Sequence, residues 1–156
     1  ASTAIIHAPH VKHIKAIDIS EKMLAIAQAK AESANVKNIT FEQASIDELS
    51  ATDATYDAVM GHSILHLLED REAVMAKVYR MLKPGGIFVT STSCLGGTMP
   101  LLKVILTIGQ FFGLLPLVKF FIVEELVGNL TDAGFRIDCQ WQPDKNKAAF
   151  IVATKA

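Results

Sequence analysis

Short apolar segments of strand length alternate with helical segments along this chain of 156 residues. The strand-like segments are KHIKAID, NITFEQ, YDAVMG and GIFVTSTS, and we expect helices from about Glu21 to Ala34 and from about Asp70 to Leu82. Strands that alternate with helices form βαβ units, in which parallel strands are buried on both faces. The pattern therefore predicts the α/β fold class, with a single domain over residues 1–156.

Local signals define the ends of these elements. Ser20 and Asp70 are predicted N-caps, and Lys83-Pro84-Gly85-Gly86 is expected to end the later helix. The last third of the chain predicts a helix from about Val123 to Ala133, with Phe135 packing back on it. FRIDCQW and AAFIVATK then predict an antiparallel hairpin at the edge of the sheet.

Composition excludes several classes of function. With 15 basic residues, 16 acidic residues and a net charge of −1, the chain offers no electrostatic match to nucleic acid. Cys94 and Cys139 lie in apolar segments without metal-ligand spacing, so both are predicted to be buried free thiols. Such thiols, and an N-terminal segment unlike a signal peptide, predict a cytoplasmic protein.

Candidate binding residues follow the predicted strands, because ligands bind at the carboxyl ends of strands in open α/β sheets. They are Asp18, the stretch from Ala44 to Asp47, and Gly61-His62-Ser63. A carboxylate in the position of Asp18 suits a ribose, since it accepts hydrogen bonds from both vicinal hydroxyls. An equally weighted interpretation is that the Asp18 carboxylate only interacts favourably with the positive, N-terminal end of the following helix.

Taken in order, four segments resemble the class I S-adenosylmethionine-dependent methyltransferases, specifically the type 11 methyltransferase domain. They are AIDISEKMLAIAQAKA, FEQASIDEL, YDAVMGHSILHLLED and VYRMLKPGGIFVTST, and the resemblance continues through VEELVGNLTDAGFRI and AAFIVATK. It implies a Rossmann-like sheet with helices on both faces and a C-terminal antiparallel hairpin. It also implies S-adenosyl-L-methionine as cofactor and methyl transfer to a small-molecule acceptor.

The resemblance also implies roles for individual residues. Asp18 matches the ribose-binding acid of the family, and Ile19 the residue that packs beside the adenine. Ser45 stands where the family usually has an Asp near the adenine amino group, and Ile46 is its apolar neighbour. The loop that contains Gly61, His62 and Ser63 matches the one near the methionine part of the cofactor and the substrate entrance.

His62 and His66 are the candidate catalytic residues. An imidazole titrates near neutral pH, so either side chain is suited to accept the proton released on methyl transfer. The alternatives are a role in packing or substrate shaping, and metal binding at spacing i,i+4 if the loop is helical. No carboxylate or cysteine is placed to complete such a site, and Pro9 prevents His7, His10 and His13 from sharing a helical face, so no metal is predicted.

An apolar segment, LLKVILTIGQFFGLLPLVKFFIV, runs from Leu101 to Val123. Its two lysines enclose only 15 residues, which glycines and a proline interrupt, whereas a membrane span needs about 20. The resemblance makes residues 98–122 the variable substrate cover. We interpret the segment either as a buried helix or as a lid over an apolar or amphiphilic acceptor that also contacts a membrane surface.

The first strand and glycine-rich turn of the family have no counterpart here, since no glycine precedes Gly61 and STAIIHAPHVKHI resembles the helix that follows the turn. In the family order 3-2-1-4-5-7-6, strand 1 is central. We therefore expect either a fragment of a longer protein, which we favour, or direct pairing of the second and fourth strands. A fragment predicts weak or no cofactor binding.

The alternative function is a noncatalytic module that binds a partner or membrane through the apolar segment. The sequence predicts no oligomeric state.

Overall fold

The computed structural model describes residues 2–93, 122–144 and 147–156, which form an α/β structure. Cys94 and the predicted substrate cover, apart from Ile122, lie outside the described residues. Within the described ranges, no helix is long and apolar enough to cross a membrane. The elements are α1 (Ser2–His7), a 3-10 helix (Ala8–His10), β1 (Ile14–Asp18), α2 (Glu21–Ser33), β2 (Ile39–Gln43), β3 (Tyr56–His62), α3 (Arg71–Met81), β4 (Leu82–Ser93), α4 (Val123–Asp132), β5 (Phe135–Trp141) and β6 (Ala148–Lys155).

The chain divides into two compact units, Ala1–Ser50 and Ala51–Ala156. The first contains the two-stranded sheet β1-β2, and the second contains a four-stranded sheet of order β3-β4-β6-β5. Because β1 and β3 belong to different sheets, the direct pairing considered from the sequence is not formed among the described strands. The single domain over residues 1–156 stays a prediction.

In the first unit, β1 and β2 are parallel, with Ile14 opposite Ile39 and Asp18 opposite Gln43. The predicted N-cap of α2 is confirmed, since the Ser20 side chain accepts a hydrogen bond from the Met23 N–H. The segment before β1 is helical, as expected from its resemblance to a helix. These elements fix the direction in which the chain leaves β1.

The core of the second unit lies between α3 and the sheet. Phe88 of β4 is buried, and its neighbour β6 contributes fully buried residues on alternate positions. The N-cap predicted for Asp70 is confirmed by its hydrogen bond from the Ala73 N–H. The buried apolar residues of this core include Val74, Val78, Met81, Leu82, Ala149, Ile151 and Ala153.

The predicted hairpin is confirmed, because β5 and β6 are antiparallel. The predicted packing of Phe135 on the preceding helix stays a prediction. Phe135 is buried, and its ring lies 5.1 Å from that of Tyr79 in α3 and 5.7 Å from that of Phe88 in β4, measured between centroids. The prediction of a buried Cys139 is wrong, since this free thiol is exposed. Its strand lies at the edge of the sheet, where an apolar sequence is not covered on both faces.

The first part of β4, from Lys83 to Gly86, follows α3 almost directly and shifts the register against β3. Tyr56 pairs with Leu82, whereas Ala58 pairs with Ile87. Gly85 has φ 75°, and a Cβ on Gly86 would lie 2.8 Å from the Lys83 carbonyl oxygen and 3.2 Å from that of Asp57. The glycines therefore allow two backbone segments to approach where a larger residue would separate them.

We expect Gly86→Ala to lower the free energy of unfolding by about 1 to 3 kcal/mol, because backbone atoms on both sides must move. Gly128→Ala in α4 is the matched control, since a Cβ there meets nothing within 4 Å. It should stabilise the protein by up to about 1 kcal/mol through helix propensity. Chemical denaturation of both variants measures the difference, and equal effects would contradict the steric explanation.

Candidate functional site

The carboxyl ends of β1 and β2 lie side by side because the two strands are parallel. Asp18 pairs with Gln43, and the Ala44 N–H donates a hydrogen bond of 3.3 Å to the Asp18 carbonyl oxygen. The residues that follow each strand, Ile19 and Ser45, therefore leave the sheet at the same edge. Sheet pairing thus brings together two segments that the sequence separates.

Asp18 holds the turn between β1 and α2. Its Oδ1 accepts a hydrogen bond of 2.8 Å from the Ser20 N–H, while Ser20 Oγ accepts one of 3.3 Å from the Met23 N–H. Ser20 therefore caps the helix, and Asp18 fixes the turn that precedes it. The second carboxylate oxygen, Oδ2, has no hydrogen-bond partner among the residues that the structure describes. This oxygen is available to a ligand.

A cleft of about 240 Å³ lies at the same edge, lined by Ile19, Gln43, Ala44, Ser45 and Glu48. Ile19 is 73% exposed and so presents an apolar surface to solvent. Pockets that enclose a complete small ligand measure about 300 to 1,000 Å³, so this cleft suits one ring system of a larger ligand. Ile46, also predicted to bind the cofactor, is half-buried and is not a lining residue.

Two polar groups of the cleft bond to its own backbone. Gln43 Nε2 donates to the Ile19 carbonyl oxygen at 3.1 Å, and Ser45 Oγ accepts from the Glu48 N–H at 3.2 Å. The sequence reasoning missed Gln43 and Glu48. The spacing Ser-x-x-Glu from Ser45 to Glu48 is typical of a capping box and would have placed Glu48 beside Ser45. Nothing in the local sequence indicates that Gln43 is opposite Asp18.

In the second unit, the predicted residues Gly61 and His62 lie at the carboxyl end of β3, opposite Thr90 and Ser91 of β4. Thr90 Oγ1 donates to the Gly61 carbonyl oxygen at 3.0 Å. The Ser63 N–H donates to the Ser91 carbonyl oxygen at 2.7 Å, and Ser63 has φ 54°. These bonds hold the end of β3 and the turn that follows it, and His62, the last residue of the strand, is exposed.

His66 is half-buried beyond this turn, with Nδ1 3.3 Å from Oγ1 of the fully buried Thr92. Burial lowers the pKa of the His66 imidazole below its ordinary value of 6.5. Residues 65–67 form a turn, so the helical loop required for paired metal ligands is not present there. Within the described ranges, no group of His, Cys, Asp or Glu is arranged to hold a metal ion. Sequence reasoning missed Thr92, which only the strand register brings near His66.

We expect the Cε1–H resonance of His66 to titrate with a midpoint below 6.5 in an NMR pH titration. Because the unfolded chain then binds a proton more readily than the folded one, this residue makes stability rise with pH between the lowered pKa and 6.5. His66→Gln should remove this contribution. A midpoint at or above 6.5 would contradict burial as the controlling influence.

A family model described as a methyltransferase domain matches residues 2–90. Among curated relatives, malonyl-[acyl-carrier protein] O-methyltransferase of Bacillus cereus is 34% identical over 80 residues, which cover 51% of this chain and 28% of the relative. The 27-O-demethylrifamycin SV methyltransferase of Amycolatopsis mediterranei is 38% identical over 74 residues, which cover 47% of this chain and 27% of the relative. The chain thus matches less than a third of the length of either relative.

The fold agrees with these matches. The structure superposes on an S-adenosylmethionine-dependent methyltransferase from Mesorhizobium loti with a TM-score of 0.71 and 22% identity, covering 92% of this chain and 81% of that one. This likeness shows an α/β methyltransferase fold, which confirms both the α/β class predicted by the alternation of strands and helices and the fold implied by the family resemblance. Since the family model spans more than half of the sequence, the chain belongs to the methyltransferase domain family.

Proposed function

We propose that this domain binds S-adenosyl-L-methionine at the carboxyl ends of β1 and β2 and takes part in methyl transfer to a small, apolar or amphiphilic acceptor. The observation that carries the proposal is the cleft lined by Ile19 and Ser45. The residue before Ile19 is Asp18, whose Oδ2 has no hydrogen-bond partner in the described part of the chain. When bound, this cofactor supplies an electrophilic methyl group. The residues described below bind the cofactor, orient the reacting groups and accept a proton.

The residues of the first unit fit the nucleoside part of this cofactor. The Asp18 carboxylate is suited to accept hydrogen bonds from the ribose hydroxyls, while the exposed Ile19 side chain offers an apolar surface to a base. The size of the cleft suits the base alone. Ser45 shapes the cleft through the turn that it caps, and Ile46 follows it as an apolar neighbour. The cofactor-binding role that the family resemblance implies for Gly61 and His62 stays a prediction.

The nature of the acceptor is supported by relatives and by sequence. Two relatives are named as methyltransferases of malonyl-[acyl-carrier protein] and of 27-O-demethylrifamycin SV. Residues 98–122 are rich in apolar side chains, which supports their role as a cover for an apolar acceptor. A net charge of −1 favours such a molecule over nucleic acid, and the free thiol of Cys139 supports a reducing compartment such as the cytoplasm.

Of the two histidines, we propose His66 as the general base that takes the proton from the methyl acceptor. The contact between its Nδ1 and Thr92 Oγ1 restricts the ring, while Nε2 has no hydrogen-bond partner in the described part of the chain. A lowered pKa keeps this imidazole neutral, and therefore able to take a proton, at pH 7. His62 is exposed at the end of β3, and we assign it to cofactor binding.

Asp18→Asn tests the ribose assignment. The variant keeps an oxygen for the Ser20 N–H but replaces the second acceptor with a donor, so we expect about tenfold weaker binding of S-adenosylhomocysteine. Isothermal titration at millimolar ligand measures this change. Chemical denaturation should show that stability is nearly retained.

Two outcomes would contradict the proposal. The first is equal affinity of Asp18→Asn and the wild type. The second is no binding of S-adenosylhomocysteine by the wild-type chain, which would favour the noncatalytic alternative. That alternative requires capture of a partner or of liposomes that depends on residues 98–122.

His66→Gln tests the proposed base. Release of S-adenosylhomocysteine is measured while the chain is offered a panel of phenols, quinols and carboxylic acids. We expect the variant to lose about 100-fold in rate at pH 7 with its cofactor affinity retained, because general-base catalysis contributes about that much or more. Loss of the acidic limb of the pH–rate profile distinguishes proton acceptance from packing. A variant that keeps the wild-type profile would exclude His66 as the base.

A further inference from the structure

Thr92 joins strand β4 to the turn that carries His66. Thr90 and Thr92 are the two fully buried polar residues among those that the structure describes. They are two positions apart in one strand, so their side chains lie on the same face. Thr90 Oγ1 donates to the Gly61 carbonyl oxygen, while Thr92 Oγ1 lies 3.3 Å from Nδ1 of His66. A buried hydroxyl therefore contacts one of the two ring nitrogens of the proposed base.

This contact is compatible with two forms of the neutral ring. In a neutral imidazole one nitrogen carries a proton and the other a lone pair, and a hydroxyl can either donate or accept. If Thr92 donates to Nδ1, the ring proton lies on Nε2, and that nitrogen cannot act as a base. If the Nδ1–H donates to Thr92, Nε2 keeps its lone pair. The hydrogen bond at one nitrogen thus decides whether the other is basic.

Two observations favour a proton on Nδ1. The first is the distance of 3.3 Å, since an N–H usually forms longer hydrogen bonds than a hydroxyl does. The second is that Nε2 has no hydrogen-bond partner in the described part of the chain. Among backbone groups, an unpaired buried N–H is rarer than an incompletely paired acceptor. On the half-buried His66 ring, the same preference favours a lone pair at Nε2 over a proton.

We propose that Thr92 is a positioning residue that holds the neutral His66 ring in the tautomer with its proton on Nδ1, so that Nε2 takes the proton from the methyl acceptor. The second part of this inference rests on the proposed function. The acceptor's proton moves to the Nε2 lone pair, and the electron pair left on the acceptor atom bonds to the methyl carbon. The bond from that carbon to sulfur breaks with its electrons on sulfur, and the imidazolium then returns a proton to water.

The ring ¹⁵N shifts of His66 test this tautomer directly, because protonated and unprotonated imidazole nitrogens resonate far apart. Two-bond ¹H–¹⁵N correlation spectra of the labelled chain are recorded at pH 7, and the His66 signals are assigned by their loss in His66→Gln. We expect the Nδ1–H form to predominate in the wild type. Thr92→Val removes the hydrogen bond and should shift the ratio of the two forms about fivefold toward Nε2–H, the form that an imidazole side chain favours in water.

Matched variants separate this role from packing. Thr92→Ser keeps the hydroxyl and should keep the wild-type ratio. Thr40→Val removes the hydroxyl beside Nε2 of His13 in the first unit, and it should leave the His66 ratio unchanged. When the chain is offered phenols, quinols and carboxylic acids, Thr92→Val should lower kcat about fivefold with KM nearly unchanged, and Thr92→Ser should retain the wild-type kcat.

The inference is overturned if the ring proton of the wild type lies on Nε2, or if Thr92→Val keeps the wild-type ratio or the wild-type kcat. It is also overturned if Thr92→Ser behaves as Thr92→Val does. The spectra require neither cofactor nor acceptor. A wild type that shows the Nδ1–H form but transfers no methyl group would therefore overturn the proposed function instead.

Discussion

The parallel register between β1 and β2 is the constraint on which the candidate nucleoside site depends. Two cross-strand side-chain contacts accompany this register, the ion pair of Lys15 with Glu42 at 2.8 Å and the hydrogen bond between His13 Nε2 and Thr40 Oγ1 at 2.7 Å. A slip by one residue would turn every side chain of one strand to the opposite face. In the observed register, Asp18 ends its strand beside Gln43, so the turn into α2 and the turn capped by Ser45 meet at one edge.

The second unit depends in a similar way on β4, which pairs in parallel with β3 and antiparallel with β6. Phe88 is buried at its centre, and the glycines before it allow the strand to start directly after α3. Near its carboxyl end the same strand presents Thr90 to the Gly61 carbonyl oxygen and Thr92 to His66. Packing and the arrangement of the candidate catalytic residues therefore arise from a single strand.

Local sequence signals predicted the elements of the fold well, because caps and periodicity act within a few residues. Ser20 and Asp70 cap the helices as expected, and the C-terminal strands form the hairpin. The signals failed where distant elements decide the outcome, as at Cys139, whose exposure depends on its position at the edge of the sheet. At the candidate site, the sequence identified Asp18 but not Gln43, since their proximity comes from strand pairing.

The central claim is that the carboxyl ends of β1 and β2 hold the nucleoside of S-adenosylmethionine. Its most direct test is a titration of the ¹⁵N-labelled chain with S-adenosylhomocysteine, followed by amide chemical shifts. The claim predicts saturable shifts concentrated at residues 18–20 and 43–48, and smaller shifts at the distal end of α2. No saturable shift at millimolar ligand, or shifts concentrated outside these two segments, would contradict it.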